Sequence, residues 1–302
     1  MAGWRTTTSR QYQVYYNRWE EFAYRRGVQV FTPTITDILH FMTEQFNLGL
    51  GYSAMNSVRS ALSTFVFING QPVGHHPLVK RFIKGVFNIR PVLPKTETVW
   101  DTSTVLKYLR KLSPVRNLDL KFLTFKLGAL LCLLTGQRVQ TIHSLKVNDI
   151  ILSKNAIKIK VTNVLKHTRP GRHLDLLVVK AYAPDRRLCP VTVLLEYLKR
   201  TKDLRKHDSL FIAIIKPHGP ISGATFARWI KNVLLYSGID PRIFTAHSTR
   251  GAATSRASLD NVPLGTILKT AGWSNDSTFA NYYNKPISAR GKFGETILQS
   301  VN

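Results

Sequence analysis

Three short stretches combine basic residues with contexts that could aim them. In "LLTGQRVQTIHSL", Arg138 follows an apolar run and a glycine, a place from which one guanidinium can point into a cleft, although a surface arginine would read the same way. In "TAHSTRGAATSRA", His247 and Arg250 stand three residues apart and so share one helical face, with Thr245 as the expected cap. Gly251, Ala252 and Ala253 allow close packing behind them, which would hold both side chains at a helix start, where anions are favoured. In "AGWSNDSTFANYYNK", Ser274 or Asn275 can cap a helix that carries Tyr282 and Tyr283 at its far end. Adjacent helical residues point about 100° apart, so the two tyrosines cannot serve one surface; one can pack while the other does chemistry. No second His, Cys or carboxylate lies at ligand spacing from His247, so a metal-ligand role for it is not expected.

The composition names the partner these groups would meet. The chain of 302 residues holds 43 Lys and Arg against 17 Asp and Glu, a formal net charge of +26, which favours a polyanion and above all nucleic acid. The charge is spread along the chain and not gathered in one tract, so attraction to anionic lipid is the weaker reading. With two cysteines, Cys132 and Cys189, neither a disulfide framework nor a zinc cluster is supported. No apolar run reaches about 18 residues and the start "MAGWRTTTSRQ" lacks a signal-peptide core, so a soluble intracellular protein is expected.

Elements that would position these residues can be read from periodicity. Tyr12, Tyr15, Tyr16, Trp19 and Phe22 form an aromatic stripe on a first helix, Thr34 and Asp37 an approximate capping box for a second, and a third follows from Ser53 with Arg59 outside. A fourth, "HPLVKRFIKGVF", carries Lys80, Arg81 and Lys84 beside apolar residues, the pattern of a basic helical clamp for phosphates. Residues 1–90 therefore read as a helical DNA-binding domain, 91–100 as an extended linker and 101–302 as a second domain. In that domain "KFLTFKLGALLCLLTG" predicts a central buried helix ending at Gly136. The stretches "AIKIKVTNVL" and "HLDLLVV" alternate around the turn "KHTRPGR" and predict a small antiparallel sheet; helices resume at Val191. The fold class is mainly α with a small antiparallel β-sheet.

Arg138, His247-x-x-Arg250, Trp273 and a tyrosine nine or ten positions later, in that order, resemble the signature of the tyrosine recombinase (phage integrase-like) family. "GQRVQT", "AHSTRGA" and "GWSNDSTFANYYNKP" look most like recombinases of DIRS-like and Ngaro-type eukaryotic mobile elements, with Crypton-type elements a less close comparison. The resemblance covers most of the chain and implies a helical core-binding domain and a mixed α/β catalytic domain closing as a C-shaped clamp on double-stranded DNA. It implies a site-specific recombinase or integrase that cuts and rejoins DNA through a 3′-phosphotyrosyl bond without metal and exchanges strands through a Holliday junction. Arg138 and Arg250 would hold the non-bridging oxygens, His247 and Trp273 would add hydrogen bonds, and a hairpin lysine would protonate the leaving 5′-oxygen. Lys166 fits that position better than Lys158, Lys160 or Lys180, with Arg169 and Arg172 beside it as DNA contacts.

Two departures stand out. Thr141 occupies the place where many members have a carboxylate, so whatever orients Arg138 must differ, and Trp273 stands where many have histidine. Relatives tend to have phenylalanine at the earlier of the paired tyrosines, which points to Tyr283 as nucleophile and Tyr282 as packing, with Tyr282 the alternative. The family further implies a homotetramer on DNA whose tails, here "ISARGKFGETILQSVN", pass between protomers, and, in a eukaryote, a nuclear site. Two rival functions are a DNA-binding protein that has lost cleavage and a type IB topoisomerase-like enzyme.

Overall fold

The structure, a computed structural model, describes residues 5–92, 96–153, 155–165, 168, 170–171 and 173–287. The chain divides into two compact units, Met1–Pro94 and Lys95–Asn302.

The first unit is built on α1 (Thr6–Arg26), α2 (Ile35–Asn47), α3 (Tyr52–Leu62) and α4 (Pro77–Ile89). Trp19 and Phe22 of the aromatic stripe are buried and meet Phe41 of α2 edge-on, with centroids 5.1 and 5.3 Å away, whereas Tyr12, Tyr15 and Tyr16 are half-buried. The capping box of α2 is formed: the Thr34 hydroxyl accepts from the Asp37 amide and the Asp37 carboxylate accepts from the Thr34 amide. A short hairpin, β1 (Phe67–Ile68) and β2 (Gln71–Pro72), was not expected. Its tip is Asn69-Gly70 with both φ values positive, the dipeptide a tight two-residue hairpin favours, so the signal was present in "FINGQP".

The second unit surrounds one apolar helix. Its elements are α5 (Thr102–Lys111), α6 (Leu120–Thr135), α7 (Val139–His143), β3 (Ile150–Leu152), β4 (Ala156–Ile159), β5 (Leu177–Lys180), α8 (Pro190–Thr201), α9 (Gly223–Tyr236), α10 (Ser248–Leu259), α11 (Leu264–Ala271) and α12 (Asp276–Tyr282). Twelve of the sixteen residues of α6 are buried, and α8, α9 and α10 pack around it. The sheet has three strands in the order β3-β4-β5, all antiparallel, one more than the alternation alone suggested. Ile157, Ile159, Leu177 and Val179 face the core, which leaves Lys158 and Lys180 on the exposed face.

The expected linker ends too late. Val99 and Trp100 are buried in the core of the second unit. There the Val99 amide donates to the Pro286 carbonyl (3.0 Å), the Lys285 ammonium donates to the Thr96 carbonyl (2.5 Å), and the Trp100 indole donates to the Ser248 hydroxyl (2.8 Å). Proline and charge mark only the first part of this stretch as a connection.

Inside α6 sits a cation. Lys126 is fully buried and its ammonium donates to the Leu112 carbonyl at 2.5 Å. Burial pulls its pKa down to about 8, against the attraction of Asp185, from an ordinary value of 10.5. Below about pH 8 both folded and unfolded chains hold this proton and the cost of the buried charge is fully present. Between there and about 10.5 the folded chain releases it first, so stability contributed at this site rises with pH. Denaturant unfolding from pH 7 to 10 should therefore show a smaller rise, or a steeper fall, for Lys126→Met than for the unaltered chain.

Candidate active site

The ends of five helices meet at one place. Gly136 closes α6 in the left-handed conformation (φ 57°), and a Cβ there would stand 3.4 Å from Thr254 of α10, so the turn also fits closely under that helix. The chain then passes through Gln137 to Arg138, which is half-buried at the start of α7. Thr141 is buried one turn later.

Helix α10 supplies His247 and Arg250. Thr245 is not the cap: His247 itself occupies the N-cap position with helical backbone angles, and the Thr245 carbonyl accepts from both the amide and the hydroxyl of Ser248. The Arg250 guanidinium is completely buried, donates through Nη2 to the Ala271 carbonyl (2.9 Å), and lies 4.2 Å from the Trp273 ring and 5.4 Å from the Tyr283 ring. Burial first, then the like charge of Arg138, pull its pKa down to about 10, so it stays cationic at neutral pH.

Helix α11 ends at Gly272 (φ 71°), which turns the chain so that Trp273 enters the cluster. Helix α12 follows, and its N-cap Asn275 makes no side-chain cap bond. Its helical residues end at Tyr282, and Tyr283 is the C-cap: its amide still donates to the Phe279 carbonyl at 2.9 Å, while its angles, φ −125° and ψ −24°, have left the helix. The break separates the two rings. Tyr282 is 71% exposed, not packed, whereas Tyr283 lies 4.6 Å from the Trp273 ring and its hydroxyl is 2.9 Å from His247 Nε2.

The cluster contains donors that the protein leaves open. Among the described residues, Arg250 Nε and Nη1 and Trp273 Nε1 are buried with no hydrogen-bond partner. Buried polar groups are rarely left so, and three such donors beside a second guanidinium and a tyrosine hydroxyl match the non-bridging oxygens of a phosphodiester. No group of three or more His, Cys, Asp or Glu suited to a metal ion occurs among the described residues.

A family pattern matches this arrangement: that of the phage integrase family, over residues 106–288, more than half of the chain. The chain belongs to this family. Its fold is similar to three integrases and recombinases in crystal structures with DNA or in DNA complexes. They are XerH recombinase in a post-cleavage complex with difH DNA (TM-score 0.57, 14% identity, 89% of this chain and 72% of that one), the Tn1549 transposon integrase with circular intermediate DNA (0.54, 13%, 88% and 84%), and a lambda integrase dimer on a COC′ core site (0.52, 17%, 96% and 74%). At these identities the likeness is one of fold. A search of curated protein sequences finds no match.

Within the phage integrase fold, then, Arg138, His247, Arg250, Trp273 and Tyr283 come together. Lys166, Arg169, Arg172 and the tail 288–302 lie outside the described residues. Lys80, Arg81 and Lys84 are exposed on α4, opposite the buried Val79, Ile83 and Val86. Arg59, expected outside the apolar face as a DNA contact, is half-buried with its stem packed against Gly74.

Sequence reasoning missed Gln137. This side chain is completely buried and its amide nitrogen donates to the Thr270 carbonyl at 2.6 Å, one residue before the carbonyl that holds Arg250. Consecutive carbonyls at the end of α11 thus fix the backbone beside Arg138 and the head group of Arg250. That supplies an orienting contact where Thr141 replaces a carboxylate. A buried amide between a helix-ending glycine and the arginine was the available signal.

Proposed function

We propose that this protein is a tyrosine site-specific recombinase that cuts and rejoins double-stranded DNA with Tyr283 as nucleophile. The observation carrying this reading is the gathering of the Arg250 guanidinium, the His247 imidazole and the Trp273 ring around the Tyr283 phenol, with Arg138 close enough to Arg250 to act on its charge. In the reaction the Tyr283 oxygen attacks phosphorus while its proton passes to His247 Nε2. Arg138, Arg250 and Trp273 hold the charge that builds on the non-bridging oxygens, a task for which the guanidinium fork suits better than an ammonium. The bond from phosphorus to the 5′-oxygen breaks, its electron pair leaves with that oxygen, and Lys166 supplies the proton. One phosphodiester is exchanged for a 3′-phosphotyrosyl ester, so rejoining needs no energy source and the scheme calls for no metal or nucleotide cofactor.

The lambda integrase tetramer bound to a Holliday junction is a fold relative (TM-score 0.53) and supports extending the reading to strand exchange by four protomers; exchange of C-terminal tails between them rests on the motif resemblance. The motif resemblance supports a role in mobile-element integration, with nuclear action in a eukaryotic host. Among the described residues no helix is long and apolar enough to cross a membrane.

The test is covalent capture. Duplex DNA of the element ends, nicked next to the cleavage point, loses a short fragment on cutting and traps the protein as an adduct resistant to denaturant. Binding without an adduct would favour the inactive DNA-binding reading, and relaxation of supercoils without exchanged strands would favour the topoisomerase-like one. In the same assay, replacing Lys80, Arg81 and Lys84 together by alanine should weaken binding to all sequences alike. It should lower the slope of log affinity against log salt by about 2 to 3, since each phosphate contact contributes about 0.9.

A further inference from the structure

Five residues beyond Arg250 on α10, Ser255 is 3% exposed and its hydroxyl is used on both sides. It donates to the carbonyl of Tyr283 at 2.5 Å and accepts from the amide of Lys285 at 3.1 Å. A hydroxyl has one proton to give, so this one is committed to the backbone around Asn284. The same turn is closed from the other side by the bonds of Pro286 and Lys285 to residues 99 and 96 described above. The tyrosine ring also packs against α10 itself: a Cβ at Gly251, one residue after Arg250, would stand 3.8 Å from Tyr283 Cδ1, an ordinary contact.

We propose that Ser255 is a positioning residue for the nucleophile: it latches the turn after Tyr283 to the helix that carries His247 and Arg250. The inference rests on Tyr283 being the attacking group. The Tyr283 amide makes the last helical bond of α12, to the Phe279 carbonyl at 2.9 Å, but its carbonyl lies past the helix end, so that side of its backbone is held by a side chain from another element. With Ser255 in place, the distance between attacking oxygen and bound phosphate is set by a single rigid helix, which serves the anion through Arg250 and the nucleophile through Ser255. A displacement of about 1 Å in such a contact lowers a rate by roughly 100-fold.

The experiment uses the full chain with Ser255→Ala and Ser255→Thr, and has one readout that needs no catalysis. In the DNA-free protein, amide hydrogen exchange over residues 284–287 should quicken by roughly tenfold or more in the alanine variant and return towards the original in the threonine variant, with exchange in α6 unchanged. Unchanged exchange in the alanine variant overturns the latch whatever the activity. On nicked DNA at saturating protein, adduct formation by Ser255→Ala should fall roughly 10- to 100-fold while DNA affinity stays within about twofold. The fall should be the same on DNA whose 5′-bridging oxygen is replaced by sulfur, a leaving group that needs no proton donor. A rate within twofold of the unaltered chain, or a defect cured by sulfur, overturns the proposal. Absence of adduct from the unaltered chain, with exchange altered as expected, instead overturns the recombinase reading and leaves the latch as a structural clasp.

Discussion

Tyr283→Phe should abolish covalent capture of nicked DNA, whereas Tyr282→Phe should leave it within about threefold of the unaltered chain. Both substitutions remove one oxygen, so the contrast isolates where that oxygen stands. At Tyr283 it is 2.9 Å from His247 Nε2, in a pocket floored by Trp273 and backed by Arg250. At Tyr282 it belongs to a ring that is 71% exposed and makes no ring contact with that cluster. If Tyr283 is the nucleophile proposed above, its loss leaves binding intact, so Tyr283→Phe should still retain DNA with an affinity near that of the unaltered chain. Capture that persists in Tyr283→Phe and vanishes in Tyr282→Phe would reverse the assignment and require α12 to extend by a residue when DNA is bound.

Arg250→Met should separate stability from activity. The guanidinium is wholly buried, two of its nitrogens lack partners among the described residues, and its pKa is pulled down to about 10, all signs that the free protein bears a cost to keep it charged there. An apolar side chain of similar volume removes that cost. The melting temperature without DNA should accordingly stay level or rise, and the gain in unfolding free energy should reach at most about 2 kcal/mol because the Ala271 carbonyl loses its donor. Adduct formation should fall by roughly 100- to 1,000-fold or more, as when one preorganised donor is taken from a developing oxyanion. Arg250→Lys tests geometry at constant charge: an ammonium cannot bond Ala271, stack on Trp273 and reach two oxygens together, so its rate should lie close to that of methionine. Recovery to near the original rate with lysine would mean that charge alone suffices. Calorimetry in the absence of DNA and single-turnover capture in its presence check the two halves.

These residues were legible in the sequence for different reasons. Arg138, His247 and Arg250 sit beside local signals, a helix-ending glycine and a run of small residues, that survive folding unchanged. The capping box at Thr34 and the apolar α6 are likewise short-range patterns, and the structure forms both. What failed to show were contacts between distant segments. Nothing near Gln137 announces Thr270, and nothing in "TSRA" announces a bond to the backbone of Tyr283. The helix expected to carry both tyrosines reaches Tyr283 only as its cap, and periodicity cannot sense the tertiary bonds at Ser255 and Lys285 that hold the chain just past that point. Val99 and Trp100 were misassigned for a related cause: a stretch without periodicity reads as a connection, even where its apolar side chains have a core to enter.

Those two residues and Thr96 have a practical consequence. The first residues of the second unit are hydrogen-bonded to its last described ones, through the pairs Val99–Pro286 and Thr96–Lys285, while Trp100 is tied to the helix of His247 and Arg250 through Ser248. The chain's entrance to this unit and its exit are thereby stitched together directly behind the tyrosine. A fragment meant to carry the chemistry alone has to begin ahead of Thr96; one starting at Asp101, where the first helix of the unit is capped, would keep every side chain proposed for catalysis and lose the seam against which the proposed nucleophile is braced.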